Sequence, residues 1–161
     1  VTDSAAAPSS KSIVFVCWGN ICRSPMAERI AERMAGDAGL DAQFTSAATS
    51  TDELGNPMDR QAARALESHG YRASHHRARR ITRDEIRRAD LVVAMEQIHI
   101  DRMRRLAPDA KNIVLMSSFD PALPPGTGID DPWSGPDSGF DVTLHKLERA
   151  MPGLLDWIRQ S

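Results

Sequence analysis

Cysteine is scarce in this 161-residue chain: Cys17 and Cys22 are the only two. That is too few to staple a disulfide-built secreted scaffold. A secretory-signal pattern is also missing, as is any apolar run near the roughly 18 residues that a membrane span needs. The expected setting is a reducing cytoplasm with no membrane partner, although export by a signal-less route is not addressed by these features. Net charge is small as well, −2 with histidines neutral. No overall basic field is available to attract nucleic acid, so any anion site must be local. Lysine is nearly absent, three against 17 arginines. Arginine suits bidentate phosphate contacts, but a compositional bias of the genome explains the excess equally well.

What is present reads as alternating strands and helices. The opening residues 1–12 are rich in Ser, Ala and Pro and are expected to form a flexible tail, leaving 13–161 as one domain. Ile13 to Val16 is a short β-branched and aromatic run suited to a buried strand. Ser24-Pro25 opens a helical pattern with Met26, Ile30 and Met34 on one face, Ser24 placed as its N-cap, and an end near Gly36 to Gly39. Gln43 to Ala47 predicts a second strand, and Asn56-Pro57 predicts a helix start that runs to Gly70. Further elements are expected at Thr82 to Arg88 (helix), Leu91 to Met95 (strand), Ile98 to Leu106 (helix), Ile113 to Met116 (strand) and Phe140 to Arg159 (helix). Pro152 predicts a kink or a new first turn in the last of these. The alternation implies an α/β fold, a parallel sheet with helices on both faces. Residues 117–139 carry five prolines and four glycines without periodicity, a loop length that compact domains keep for function. The basic stretch His75 to Arg80 reads as a solvated connection.

The chemistry is concentrated in Cys17-Trp18-Gly19-Asn20-Ile21-Cys22-Arg23-Ser24-Pro25, placed between a buried strand and a helix start. Ligands of open α/β sheets collect at the carboxyl ends of strands, where the free amides of the next helix face outward. Gly19 and Asn20 tolerate a left-handed backbone, so the loop can curl its amides into an anion cup. A cysteine at the base of such a cup has its thiolate stabilised by amides, helix dipole and Arg23. Arg23 offers a planar fork for two phosphoryl oxygens, and Ser24 can donate to the sulfur. A nucleotide-binding loop is excluded because no Gly-Lys-Ser/Thr follows. Two cysteines supply only half a structural zinc site, so no metal and no cofactor are implied.

These nine residues fit C-x-G-N-I-C-R-S-P at every specified position, and the chain thereby resembles the low-molecular-weight protein tyrosine phosphatases. The resemblance covers most of residues 12–160, with Thr45-Ser46-Ala47, His69-Gly70-Tyr71 and Asp131-Pro132 as further matches. It implies a four-stranded parallel sheet of order 2-1-3-4. It implies Cys17 as nucleophile, Arg23 as phosphate clamp, and phosphate binding by Trp18, Gly19, Asn20, Ile21, Cys22 and Ser24. Ser46 and His69 are expected to buttress Asn20. The general acid is the Asp of an Asp-Pro pair, and Asp131-Pro132, followed by Trp133, is preferred over Asp120-Pro121; Asp130 is expected to serve the loop itself. A reversible Cys17–Cys22 disulfide is a family property that would make the site redox-sensitive. Expected partners are tyrosine-phosphorylated proteins, with a tyrosine kinase as a further candidate.

Some positions depart from the family pattern. Trp18 occupies a variable wall position, Asp52 stands where many members place an aromatic, and Trp133-Ser134 replaces an aromatic pair. Trp18 and Trp133 are expected to wall the pocket, with Asp52 at its rim. Rival readings are weaker. Arsenate reduction needs relay cysteines that the chain lacks, phosphoarginine hydrolysis in close relatives goes with a threonine in place of Ile21, and a non-catalytic phosphotyrosine-binding module would be expected to have lost Cys17, Arg23 or Asp131.

Overall fold

The computed structural model describes residues 10–161. Ten elements follow in order: β1 (Lys11–Cys17), α1 (Arg23–Asp37), β2 (Ala42–Ala48), α2 (Arg60–Ser68), α3 (Arg83–Arg88), β3 (Leu91–Ala94), α4 (Gln97–Leu106), β4 (Ile113–Leu115), a 3-10 turn (Met116–Phe119) and α5 (Asp137–Gln160). All strand pairs are parallel, in the order β2-β1-β3-β4.

Alternation along the central strands divides the interior into two layers. Ile13, Phe15 and Cys17 of β1 pack with Met26, Ile30, Leu66, Phe140 and Leu144, so α1, α2 and α5 cover one face. Val14 and Val16 point the other way and meet Val92, Ile86, Ile100 and Met103, so α3 and α4 cover the second face. Burying each such side chain stabilises the fold by roughly 1.5–3 kcal/mol, which makes β1 the best-anchored strand of the sheet. The chain leaves β1 for β2 on one side and returns to β3 on the other, so the strand order reverses between β1 and β3, and their carboxyl ends open a crevice there.

Several boundaries differ from those read in the sequence, each for a local reason. Lys11 and Ser12 belong to β1, not to a tail, because they pair with Ala42 and Gln43 and the Ser12 amide donates to Asp90 Oδ2 at 2.8 Å; the remainder of the expected tail, Val1 to Ser9, lies outside the described residues. The second helix starts at Arg60, where Asp59 accepts from the Gln61 and Ala62 amides, and not at Asn56-Pro57. Thr82 and Glu85 form a reciprocal capping box before α3. The segment 117–139 is shorter as a loop than expected, because the 3-10 turn takes its start and α5 begins at Asp137. Pro152 does not open a new first turn: α5 is assigned continuously across it.

Gly153, one residue beyond that proline, lets α5 touch the 3-10 turn. A Cβ there would lie 2.3 Å from the Phe119 carbonyl oxygen. In a helix interior Ala normally outranks Gly by about 1 kcal/mol. Here the backbone clash dominates, and Gly153→Ala is expected to lower stability by about 1–3 kcal/mol in urea unfolding; an increase would mean that the helix and turn separate easily.

Candidate active site

Between β1 and α1 the backbone forms a cup, and its carbonyls explain why. Cys17 O accepts from the Thr49 amide (3.0 Å), Trp18 O from Ser50 (3.1 Å), Ile21 O from Asp59 (2.9 Å) and Cys22 O from Met26 (3.0 Å). Every one of these acceptors is satisfied from outside the loop. The amides of residues 18–22 donate to no protein acceptor among the described residues. A ring of carbonyls turned outward leaves its N–H groups for an anion inside.

The turn is set by Asn20, fully buried, with φ of 61°. Its side-chain amide donates to Ser24 Oγ (2.8 Å) and Ser46 Oγ (3.0 Å), and its Oδ1 accepts from the Arg79 amide (3.1 Å). Its main-chain carbonyl accepts from His76 Nε2 at 2.6 Å. Ser46 therefore accepts from Asn20, and passes its own hydrogen to Glu28 Oε1 at 2.6 Å. His69 does not: it caps α2, its ring nitrogen lies 2.9 Å from the Ala65 carbonyl, and its ring meets His145 edge-on. The supporting histidine is His76, inside the stretch that reads as a solvated connection. Burial pushes His76 down, consistent with a neutral ring that donates through Nε2. Gly19 also differs from expectation. Its φ is not positive, and its value is room, since a Cβ would lie 3.2 Å from Glu53 Cγ.

Cys17 ends β1 at the floor of the cup. The Ser24 Oγ lies 3.0 Å from its sulfur and the Ser24 amide 3.4 Å away. Because Asn20 donates to Ser24 Oγ, the hydroxyl hydrogen is free to point at the sulfur. Ser24 is thus not an N-cap; that position falls to Cys22, which makes no side-chain capping bond.

Arg23, the first residue of α1, is buried. Its Nη1 donates to Glu96 Oε1 and to the Ile129 carbonyl (2.8 Å), Nη2 lies 3.6 Å from Asp131 Oδ2, and Nε has no protein partner. Glu96, at the carboxyl end of β3, was absent from the sequence reading, although an acid at the end of a strand beside the switch point is a recognisable signal. The loop that brings Asp131 is pinned by the Ile129 amide on the Met95 carbonyl (2.8 Å) and by Ser117 Oγ on the Thr127 carbonyl. Asp131 Oδ1 accepts from the Trp133 amide at 3.1 Å. Asp120 is elsewhere: it is buried, accepts from the Ala122 amide and faces Arg149 at 3.7 Å.

Cys17, Trp18, Gly19, Ile21, Cys22 and Arg23 line one cavity of about 180 Å³, closed at the rim by Asp52, Glu53, Asp131 and Trp133. Trp18 is held on two sides: its Nε1 donates to Asp52 Oδ2 (2.9 Å) and the Arg102 guanidinium stacks 4.5 Å from the ring centroid. Trp133 is 55% exposed and stands free at the lip. Both cysteines are free thiols. Burial, and next the Asp59 carboxylate, push the Cys22 thiol up, so it stays protonated at neutral pH.

A parallel α/β sheet with an amide cup at the carboxyl end of its central strand defines a class of proteins that grip a tetrahedral oxyanion between strand and helix. Comparison with known proteins narrows the class. The sequence model of a family described as low molecular weight phosphotyrosine protein phosphatase matches residues 12–161. A low molecular weight protein-tyrosine-phosphatase of Streptomyces coelicolor is 40% identical over 154 residues, covering 92% of this chain and 93% of that protein. Low molecular weight protein-tyrosine phosphatase A of Mycobacterium bovis is 39% identical over 151 residues, covering 91% and 90%. The crystal structure of a protein tyrosine phosphatase from Entamoeba histolytica superimposes with a TM-score of 0.88 at 25% identity, covering 94% and 98%. The chain belongs to the low molecular weight phosphotyrosine protein phosphatase family. No helix among the described residues is long and apolar enough to cross a membrane.

Two outcomes follow from this geometry. Removing His76 leaves the Asn20 carbonyl buried and unpaired, so His76→Ala should lower kcat/KM on p-nitrophenyl phosphate by roughly tenfold to a hundredfold. His69→Ala should stay within about twofold of the parent, and equal losses in both variants would contradict the assignment. The second concerns His99, buried, whose Nδ1 accepts from the Glu96 amide at 3.1 Å. Burial, then Arg23 and Arg102, bring it down from 6.5 to about 3. The unfolded chain therefore binds this proton and the folded one resists it, so the stabilisation is full above about pH 6.5 and is lost as pH falls toward 3. In His99→Asn the loss of stability in urea between pH 6.5 and 4 should be shallower; an unchanged slope would place the titrating groups elsewhere.

Proposed function

We propose that this phosphatase hydrolyses phosphotyrosine in protein substrates through a cysteinyl-phosphate, with Cys17 as nucleophile, Arg23 as clamp and Asp131 as general acid. The observation that carries the reading is the convergence of these three side chains with Trp18, Gly19, Ile21 and Cys22 of the loop on one cavity.

In the first step the Cys17 thiolate attacks phosphorus in line while the P–O bond to the tyrosine ring breaks and protonated Asp131 gives its proton to the departing phenolate oxygen. In the second, water attacks phosphorus as Asp131 takes its proton, the S–P bond breaks, and Cys17 thiolate and inorganic phosphate separate. The loop amides and the free donors of Arg23, Nε and Nη2, are suited to the equatorial oxygens in both transition states. Glu96 fixes Nη1, which leaves the remaining fork aimed by the rigid end of β3. Trp18 and Trp133 are the proposed walls for the phenyl ring, with Ile21 in the lining favouring an aryl ester over phosphoarginine. Two free thiols support a reducing, cytoplasmic setting.

Initial rates of phosphate release from matched phosphotyrosine, phosphoserine and phosphoarginine peptides test the reading. Release from phosphotyrosine is expected to be fastest, to fall to background in Cys17→Ser, and to drop in kcat by about a hundredfold or more in Asp131→Asn. An unchanged kcat in Asp131→Asn contradicts the role of Asp131, and a preference for phosphoarginine overturns the substrate.

A further inference from the structure

A second cavity, of about 190 Å³, lies behind the Trp18 wall, between the end of β2, the segment around Arg80 and the last turns of α4. Met103 and Leu106 form its apolar side; Arg80, Arg102, Arg105 and Thr49 supply the polar one. Three features distinguish it from an ordinary surface cleft. No carboxylate among the described residues comes within 4.0 Å of any of the three guanidiniums. Thr49 is only 3% exposed, yet its Oγ1 has no hydrogen-bond partner, and Arg102 Nε is likewise buried and unpaired. Arg102 is also held in place: it donates to the Thr49 carbonyl (3.0 Å) while its guanidinium stacks on Trp18.

A buried hydroxyl and a buried guanidinium N–H without partners are unfavourable unless something accepts from them. Three like charges around a small cavity add mutual repulsion, which an anion relieves. Since the chain carries net charge −2, this concentration of uncompensated positive charge is local and not a general field. The cavity shares the Trp18–Arg102 stack with the catalytic one, so a chain seated with its phosphotyrosine on one side of the stack has its flanking residues beside the other.

We infer that the Arg80–Arg102–Arg105–Thr49 cavity is a subsite for an oxyanion on a residue flanking the phosphotyrosine, a carboxylate or a second phosphate, and so sets a preference for acidic substrate segments. The inference rests on the proposed phosphotyrosine activity. Arg102 is the positioning residue of the pair of sites, gripping the anion on one side and steadying the aromatic wall on the other.

The test uses one phosphotyrosine peptide with Gln, Glu or phosphoserine scanned over the three positions on each side, and compares kcat/KM. In the parent protein the best acidic peptide should exceed the Gln peptide by about three- to tenfold, the range expected of partly exposed arginine–oxyanion pairs. The ratio should fall to near one in the double variant Arg80→Gln, Arg105→Gln, whose two side chains are exposed and whose rate on p-nitrophenyl phosphate should not change. Thr49→Val should lower the ratio as well. The charge-matched control Arg88→Gln, Arg104→Gln, which alters neither cavity, should keep it. Whether glutamate, phosphoserine or both gain rate identifies the oxyanion. A ratio near one in the parent, a ratio that survives in the double variant, or an equal fall in the control overturns the subsite while leaving the catalytic reading intact. Failure of every peptide to release phosphate overturns the catalytic reading, and the subsite with it.

Discussion

One residue turned into the left-handed region holds the active site together. At Asn20 a positive φ flips the chain so that the amides before and after it face a common centre. An asparagine tolerates that backbone better than most L-residues but still prefers others, and the difference is made up by its partners. Ser24, Ser46, Arg79 and His76 bind its side chain and its carbonyl from three separate parts of the chain. The cup is thus held by protein contacts of its own, which is what preorganised donors for an anion require. The same contacts tie β2 and the 76–79 segment to the strand–helix junction, so the fold and the site are supported by the same bonds.

Charge is arranged on the same plan. Arg23 is nearly removed from solvent, a costly place for a cation unless it is hydrogen-bonded and paired. Glu96 and the Ile129 carbonyl take one nitrogen and fix the plane of the guanidinium. That division of labour keeps an arginine rigid and still leaves donors for a ligand. The buried histidines show the converse: loss of water, and after it the surrounding arginines, disfavour a further cation at His76 and His99.

The sheet, its parallel sense and most helices were legible in the sequence because they follow from local periodicity. Ile13 to Val16 and Leu91 to Ala94 are short apolar runs of strand length, and Met26, Ile30 and Met34 fall on helical spacing. The cup was legible because it is one contiguous segment. What failed was long-range or context-dependent. His69 and His76 are separated by seven residues, and nothing in their neighbours tells which one the turn after α2 returns to Asn20. Ser24 looks like a helix cap, yet its hydroxyl serves a sulfur seven residues back, a contact invisible until β1 and α1 are placed side by side. Arg102 follows only from the strand order, which puts the end of β3 and helix α4 beside the loop after β1. Pro152 was read by its usual effect, but α5 runs on across it with Met151, Leu154 and Leu155 buried against the core.

The loop that carries Asp131 is fastened on both sides of it. Ile129 is bonded to the end of β3, and the Gly135 carbonyl accepts from Gln61 Nε2 of α2 at 2.9 Å. At no more than about 3.6 Å per residue, an acid two residues from its anchor has a reach of roughly 7 Å. It moves as a short lever and not as a lid. The way into the cavity then lies past two unlike tryptophans, Trp18 held by Asp52 and Arg102 and Trp133 exposed at the lip.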